Sequence, residues 1–161
     1  MNLLITQLRP ATFEDCDEIY EVHRLAVRYT CLHAYTPAIL NAWLQLLNVE
    51  GYRAAIQSNH KTLWVIEYKH RISGFFLLDF QEAQLDALYV HPFLHGKGLG
   101  TALLQRAETL CLQADLSILS LYASTNSTSF YELNGYENLG EAVMPFNADI
   151  SANCSLMRKF L

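Results

Sequence analysis

The sequence predicts one mixed α/β (α+β) domain with a mostly antiparallel central sheet of about six to seven strands flanked by helices. Three observations predict it. The N-terminal third carries helical repeats of apolar residues, β-rich runs parted by short polar breaks begin at Thr62, and a strand ending at Val90 leads into a helix opened by glycines. No linker, repeat or low-complexity tract divides 1–161, and 161 residues suit a single domain.

The elements follow in order. Leu3–Arg9 alternates as a strand and is broken at Pro10-Ala11-Thr12. Thr12 is a good N-cap, with acids following in the first turn, and Ile19, Val22, His23, Ala26 and Val27 share one helical face. Pro37 stands at a first helical position ahead of Ile39, Leu40, Trp43, Leu44 and Leu47, and Tyr52–Gln57 adds a short turn or helix. Leu63–Tyr68 and Ile72–Phe80 form a hairpin about Lys69-His70-Arg71, and Gln84–Val90 is the next strand. Gly98–Ala114 is helical, with Leu99, Ala102, Leu103, Ala107 and Leu110 on its apolar stripe. Ile118–Ala123 is a strand. Ser127–Asn134 is a short helix closed by Gly135, and Tyr136–Glu141 and Asn153–Phe160 are the last strands.

Composition narrows the function. A net charge of -5 argues against nucleic-acid binding, which uses a basic face, and suits a cationic substrate such as an amine. The first ten residues turn polar too soon for a signal peptide, and no apolar run is long enough to span a bilayer, so a membrane is not expected. Cys16, Cys31, Cys111 and Cys154 are scattered without CxxC spacing or a histidine cluster. They read as free thiols of a cytoplasmic protein with no metal site.

The sharpest feature is Tyr89-Val90-His91-Pro92-Phe93-Leu94-His95-Gly96-Lys97-Gly98-Leu99-Gly100-Thr101, where alternating glycines open an amphipathic helix. Glycine lets backbone approach an anion closely, and the helix start offers unpaired N–H groups and a positive dipole end, a combination that binds phosphate. His95 and Lys97 add local positive charge. A Walker A loop is excluded because no Gly-Lys-Ser/Thr occurs. The spacing GxGxG differs from the dinucleotide GxGxxG, and the next strand ends Tyr122-Ala123-Ser124 without an acid. The pyrophosphate loop of acetyl-coenzyme A transferases fits. Glycines alone also suit a helix start with no ligand.

Leu88-Tyr89-Val90-His91-Pro92 followed by His95-Gly96-Lys97-Gly98-Leu99-Gly100-Thr101-Ala102-Leu103-Leu104 resembles the central motif of the GNAT superfamily of N-acetyltransferases. His95 stands where the family has Gln or Arg, while Gly98 and Gly100 match. A second segment, Ala123–Tyr136, resembles the family's Phe-Tyr-x-x-x-Gly-Phe region through Phe130, Tyr131, Gly135 and Tyr136. His33-Ala34-Tyr35-Thr36-Pro37 with Ala42-Trp43 resembles a branch of bacterial members.

The resemblance implies an acetyl-coenzyme-A-dependent N-acetyltransferase acting on a small-molecule or protein amine. It implies a strand splay at the cofactor site, where Leu88, Tyr89 and Val90 pair with the pantetheine arm and a backbone N–H near Val90 stabilises the oxyanion. The loop His95, Gly96, Lys97, Gly98, Leu99, Gly100 and Thr101 would hold the pyrophosphate. Ser124 and Asn126 would contact the arm, although Asn126 also reads as an N-cap. Tyr131 matches the general acid, and Asp86, with Glu82 nearby, is the first choice of base. His33 and Tyr35 lie in the variable acceptor region. Homodimers are frequent in the family. A non-catalytic acyl-coenzyme-A-binding module is the alternative.

Overall fold

A computed structural model of the chain describes residues 5–161. Leu3 and Leu4 of the expected first strand lie outside the described residues. The elements are β1 (Thr6–Pro10), α1 (Cys16–Leu25), α2 (Pro37–Leu46), α3 (Val49–Gln57), β2 (Lys61–Tyr68), β3 (Arg71–Asp79), β4 (Gln84–Val90), α4 (Leu99–Gln113), β5 (Ile118–Ser124), α5 (Thr128–Leu133), β6 (Glu137–Pro145) and β7 (Ser151–Phe160). The strands form one seven-stranded sheet in the order β1-β2-β3-β4-β5-β7-β6, antiparallel except where β4 meets β5.

Local chemistry explains most of the boundaries. Asp15 accepts from the Thr12 backbone N–H at 2.8 Å and from its hydroxyl at 3.1 Å, closing the turn that starts α1, while Arg9 binds both Asp15 oxygens at 2.7 and 3.0 Å. Thr36 caps α2 by accepting from Ile39 N–H, with Pro37 in the first turn. Asn48 caps α3 through Gly51 N–H at 2.8 Å, so this helix starts three residues before the expected Tyr52. Lys69 and His70 both take positive φ, the conformation a two-residue hairpin turn requires.

Two layers of helix cover the sheet. β3 is buried on both faces: Phe76 and Leu78 pack with Leu103, Leu104 and Ala107 of α4, whereas Ile72 and Phe75 pack with Ile19 and Val22 of α1. Leu103 and Leu104 are fully buried, worth roughly 1.5–3 kcal/mol each. A third cluster joins Trp43 of α2 to Phe146 and Ala152 at the far end of the sheet. All four cysteines are buried and free. No helix among the described residues is long and apolar enough to cross a membrane.

Two departures from the sequence expectation bear on the site. α1 runs into a π-helical turn, Ala26–Thr30, where Ala26 and Val27 were expected to continue the same helical face. β6 reaches Pro145, past the expected Glu141, and β7 begins at Ser151 rather than Asn153.

Candidate active site

The site begins as a fault in the sheet. β4 and β5 are paired only at Gln84↔Ser120 and Leu85↔Leu121. Beyond Leu85 the strands part. Along the β3–β4 seam Leu78 faces Leu85 but Leu77 faces Ala87, so Asp86 is an extra residue on β4. Such a bulge bends the strand and increases its twist. The splay leaves the β5-facing edge of β4 from Asp86 to Val90 without a neighbouring strand.

The direction of that edge follows from the register. His91 N–H donates to Ser73 O at 2.8 Å, so residue 91 turns its backbone groups toward β3. Alternation turns those of Val90 the other way, and its carbonyl lies 3.4 Å from His95 Nε2. The Val90 N–H therefore faces the gap.

A cleft of ≈ 480 Å³ fills the gap and is lined by Leu88, Tyr89, Val90, Gly98, Gly100 and Tyr131, among others. Its far end meets the start of α4. Gly96 and Gly98 have φ of +81° and +79°, a left-handed backbone that glycine adopts without strain. A Cβ at either position would meet nothing within 4 Å, so the loop is open outward. Among the described residues no side chain caps α4, and its first turn presents the N–H groups of Leu99, Gly100 and Thr101. This is the donor set a diphosphate needs, and it fits the pyrophosphate of coenzyme A. Gly100 lets the Phe130 ring pack close to the same turn, since a Cβ there would stand 3.3 Å from it.

The expected site residues fall into two groups. Asp86, Leu88, Tyr89, Val90, His95, Gly96, Gly98, Leu99, Gly100, Thr101, Ser124, Asn126 and Tyr131 all line the cleft. Lys97, His33 and Tyr35 are not among its lining residues. Lys97 lies over the Tyr68 ring, 5.4 Å from its centroid. His33 is exposed in the turn after the π-helical segment. Tyr35 is occupied in holding the chain together: its hydroxyl donates to Asn153 O at 2.7 Å and accepts from Thr125 N–H at 3.0 Å.

The polar groups have defined partners. Asn126 does not cap α5, whose N-cap is Ser127. Its amide instead reaches Thr30 O at 3.5 Å. The Ser124 hydroxyl pairs with that of Ser127 at 2.9 Å. Asp86 has Lys61 Nζ 3.2 Å from Oδ2 and Gln84 Nε2 2.9 Å from Oδ1. Glu82 is exposed and lies outside the cleft lining. Tyr131 is buried, and desolvation pushes its phenol well above the usual range, so it stays protonated. Burial likewise pushes the Cys31 thiol, also in the lining, up to about 11, which keeps it from acting as a competing thiolate.

Trp43, an aromatic of the variable acceptor region read chiefly as core, is both core and cleft wall. Two other lining residues carried no functional signal in the sequence: Thr30 keeps a buried hydroxyl without a partner among the described residues, and Met144 comes from the unexpected extension of β6. His23 was legible only as one more position on the buried face of α1.

Comparison with known proteins agrees with this geometry. A family model described as an acetyltransferase (GNAT) domain matches residues 31–146. No curated protein matches the chain. Among solved structures, a GCN5-related N-acetyltransferase from Rhodopseudomonas palustris superposes with a TM-score of 0.89 at 25% identity, covering 100% of this chain and 99% of that one. The PaiA N-acetyltransferase of Thermoplasma acidophilum, solved with coenzyme A, gives 0.81 at 22% identity, covering 97% and 99%. YncA of Salmonella typhimurium, solved with acetyl-coenzyme A, gives 0.72 at 19% identity, covering 97% and 94%. With the glycine-opened helix, the splayed strands and a family match over most of its length, the chain belongs to the GNAT family of acetyltransferases.

Proposed function

We propose that this acetyltransferase uses acetyl-coenzyme A to acetylate a primary amine on a small molecule or a protein, by direct attack of the amine on the thioester. The observation that carries the reading is the continuity of the cleft. It runs from the α4 glycine turn, along the open edge of β4, to the buried hydroxyl-bearing side chain of Tyr131.

When bound, acetyl-coenzyme A supplies an acyl group activated as a thioester. The N–H groups of Leu99, Gly100 and Thr101 hold the diphosphate, and the edge from Leu88 to Val90 holds the pantetheine amides, with Ser124 and Asn126 on the opposite wall. The outward N–H of Val90 donates to the carbonyl oxygen as negative charge grows there. As the C–N bond forms and the C–S bond breaks, the Tyr131 hydroxyl donates to the leaving sulfur. An ordinary phenol, near 10, is a weaker acid than a thiol, near 8.5. Burial raises both by disfavouring their anions, so the same dry cleft that holds the phenol's proton also makes the thiolate a better acceptor.

The amine must shed a proton before it attacks. Asp86 takes that role, because it is the one carboxylate lining the cleft among the described residues. The role requires its contact with Lys61 or Gln84 to open.

Amine-dependent release of free thiol from acetyl-coenzyme A tests the reading. Release that rises with added amine and protein supports it. Binding of acetyl-coenzyme A with no thiol release for any amine would instead mark a binding module.

A further inference from the structure

Asp86 meets its cation from behind the cleft. Lys61 Nζ lies 3.2 Å from Asp86 Oδ2 and 3.9 Å from Asp79 Oδ2, so one lysine stands between two carboxylates. The sheet brings them together. Lys61 of β2 faces Asp79 of β3, Asp79 faces Gln84 of β4, and directly opposed residues share a face. The bulge at Asp86 adds its carboxylate to this row. Asp86 lines the cleft, whereas Lys61 and Asp79 do not.

The two carboxylates are held differently. Asp79 is buried, and its Oδ1 accepts from the N–H groups of Gln81 at 2.9 Å and Glu82 at 3.2 Å, which ties the turn between β3 and β4. No donor among the described residues lies within hydrogen-bond distance of its Oδ2. Lys61 Nζ and His60 Nε2 stand off at 3.9 and 4.0 Å. A charged oxygen with a cation at that range has a strong hydrogen bond to gain by closing the gap. The Asp86 side chain is more open, and Gln84 Nε2 at 2.9 Å is its other partner.

Charge sets the direction. Two carboxylates and one lysine leave one negative charge in formal excess. Asp86 lines the cleft and also a second cavity of ≈ 360 Å³. Among the described residues the other titratable groups lining the two are His23, Cys31, Tyr89, His95, Tyr122 and Tyr131, with no further acid and no lysine. An ammonium that reaches Asp86 therefore meets excess negative charge. Lys61 gives way to it without losing a carboxylate, because Asp79 is already beside it.

We infer that Lys61 is a positioning residue that moves between the two carboxylates. It holds Asp86 while the site is empty and passes to Asp79 when the ammonium of the acceptor arrives, which frees Asp86 to take a proton. An N–H bond of the ammonium breaks, Asp86 gains the proton and loses its charge, and the amine keeps the electron pair with which it attacks the thioester. Asp86 then returns the proton to solvent, and Lys61 is shared again. The inference rests on the proposed base role of Asp86 and supplies the opening which that role requires.

The test is a double-mutant cycle on amine-dependent thiol release at saturating acetyl-coenzyme A, with ethylamine, 2-phenylethylamine and spermidine as probe amines. Asp79→Asn keeps an acceptor oxygen for the turn but removes the charge that receives Lys61, so Lys61 stays on Asp86. Its kcat/KM for the fastest probe should fall about tenfold, a part of what a positioned base contributes. Lys61→Met/Asp79→Asn has no lysine to lock onto Asp86 and should return to within about threefold of Lys61→Met. In Lys61→Met alone, Asp86 loses a cation and holds its proton more strongly, so the acid limb of the kcat/KM profile should move to higher pH by about half a pH unit. That limb reads the inference even where Asp79→Asn does not fold, and acetyl-coenzyme A binding checks the folding of each variant. A folded double variant as slow as Asp79→Asn, a folded Asp79→Asn chain at the native rate, or an acid limb unmoved by Lys61→Met would each overturn the inference. Asp86→Asn separates it from the base role. Native turnover in that variant would overturn the base role and the inference together, whereas lost turnover there with no rescue of Asp79→Asn by Lys61→Met would overturn the inference alone. Release from the native chain with none of the three probes would overturn the proposed transfer, and the inference with it.

Discussion

Leu85 and Leu121 are the last residues at which β4 and β5 remain joined. Everything proposed for the site lies beyond that pair, where Asp86 bulges and the strands part. Gly74 holds the opening from behind. It faces Val90 across the β3–β4 seam, and a Cβ there would come within 2.9 Å of Tyr89 O and 3.0 Å of Leu103 Cδ1. Backbone on one side and a fully buried leucine on the other leave little room to yield.

Gly74→Ala is therefore expected to destabilise the fold by about 1–3 kcal/mol, as overpacking does, and to lower turnover by shifting the edge that carries the Val90 N–H. Denaturant unfolding gives the first effect. Turnover under conditions where the variant remains folded gives the second.

Gly98→Ala tests the glycine turn differently. Nothing within 4 Å would resist its Cβ, so the cost comes from φ +79° alone, about 1–2 kcal/mol. Thermal unfolding should fall by a few degrees, and acetyl-coenzyme A affinity should fall as well, since the turn aims the first N–H groups of α4. Titration of the folded variant with acetyl-coenzyme A measures the second part.

Tyr131→Phe removes one hydroxyl from a buried ring. Turnover is expected to drop about 10²–10⁴-fold, the usual worth of a positioned acid, with little change in KM for acetyl-coenzyme A. Steady-state kinetics decides: unchanged kcat would remove Tyr131 from the proton transfer.

His23 links acidity to stability. Its folded value is pushed down to about 3, below the ordinary histidine value near 6.5, so between these the unfolded chain binds more protons than the native one. Stability should be fully held above pH 6.5 and decline as pH falls toward 3, at up to about 1.4 kcal/mol per pH unit from this group. The doubly substituted His23→Phe/Tyr52→Phe chain should show a shallower decline in denaturant unfolding at pH 4–7.

Much of the site was legible because its parts are local. Gly96 and Gly98 appear in sequence as alternating glycines and in space as a left-handed turn ahead of α4. The hairpin about Lys69 and His70 and the bounds of β4 followed from β-rich runs parted by short polar breaks. What escaped depends on long-range contacts or broken periods. Leu139 is an extra residue on exposed edge strand β6, between Asn138↔Met157 and Gly140↔Leu156, so alternation there stops short and hides Met144. The π-helical turn carries buried Ala26 and Val27, which read as ordinary helix. His23 looked like a core position, and only the fold sets it against Tyr52 and Tyr89, on the wall of a cavity. The structural tie of Tyr35 was equally hidden, since its partners Thr125 and Asn153 are distant in sequence.

Thermal unfolding of the purified chain with and without acetyl-coenzyme A, using NADH as the control ligand, decides whether the glycine turn and the splayed edge form a cofactor site. Saturation at about 100 times the dissociation constant adds about 2.7 kcal/mol. For a chain of this size that raises the midpoint by roughly 5–10 °C. A rise of that order with acetyl-coenzyme A and none with NADH is the expected result. No rise at saturating acetyl-coenzyme A, or an equal rise with NADH, would contradict the assignment of the cleft.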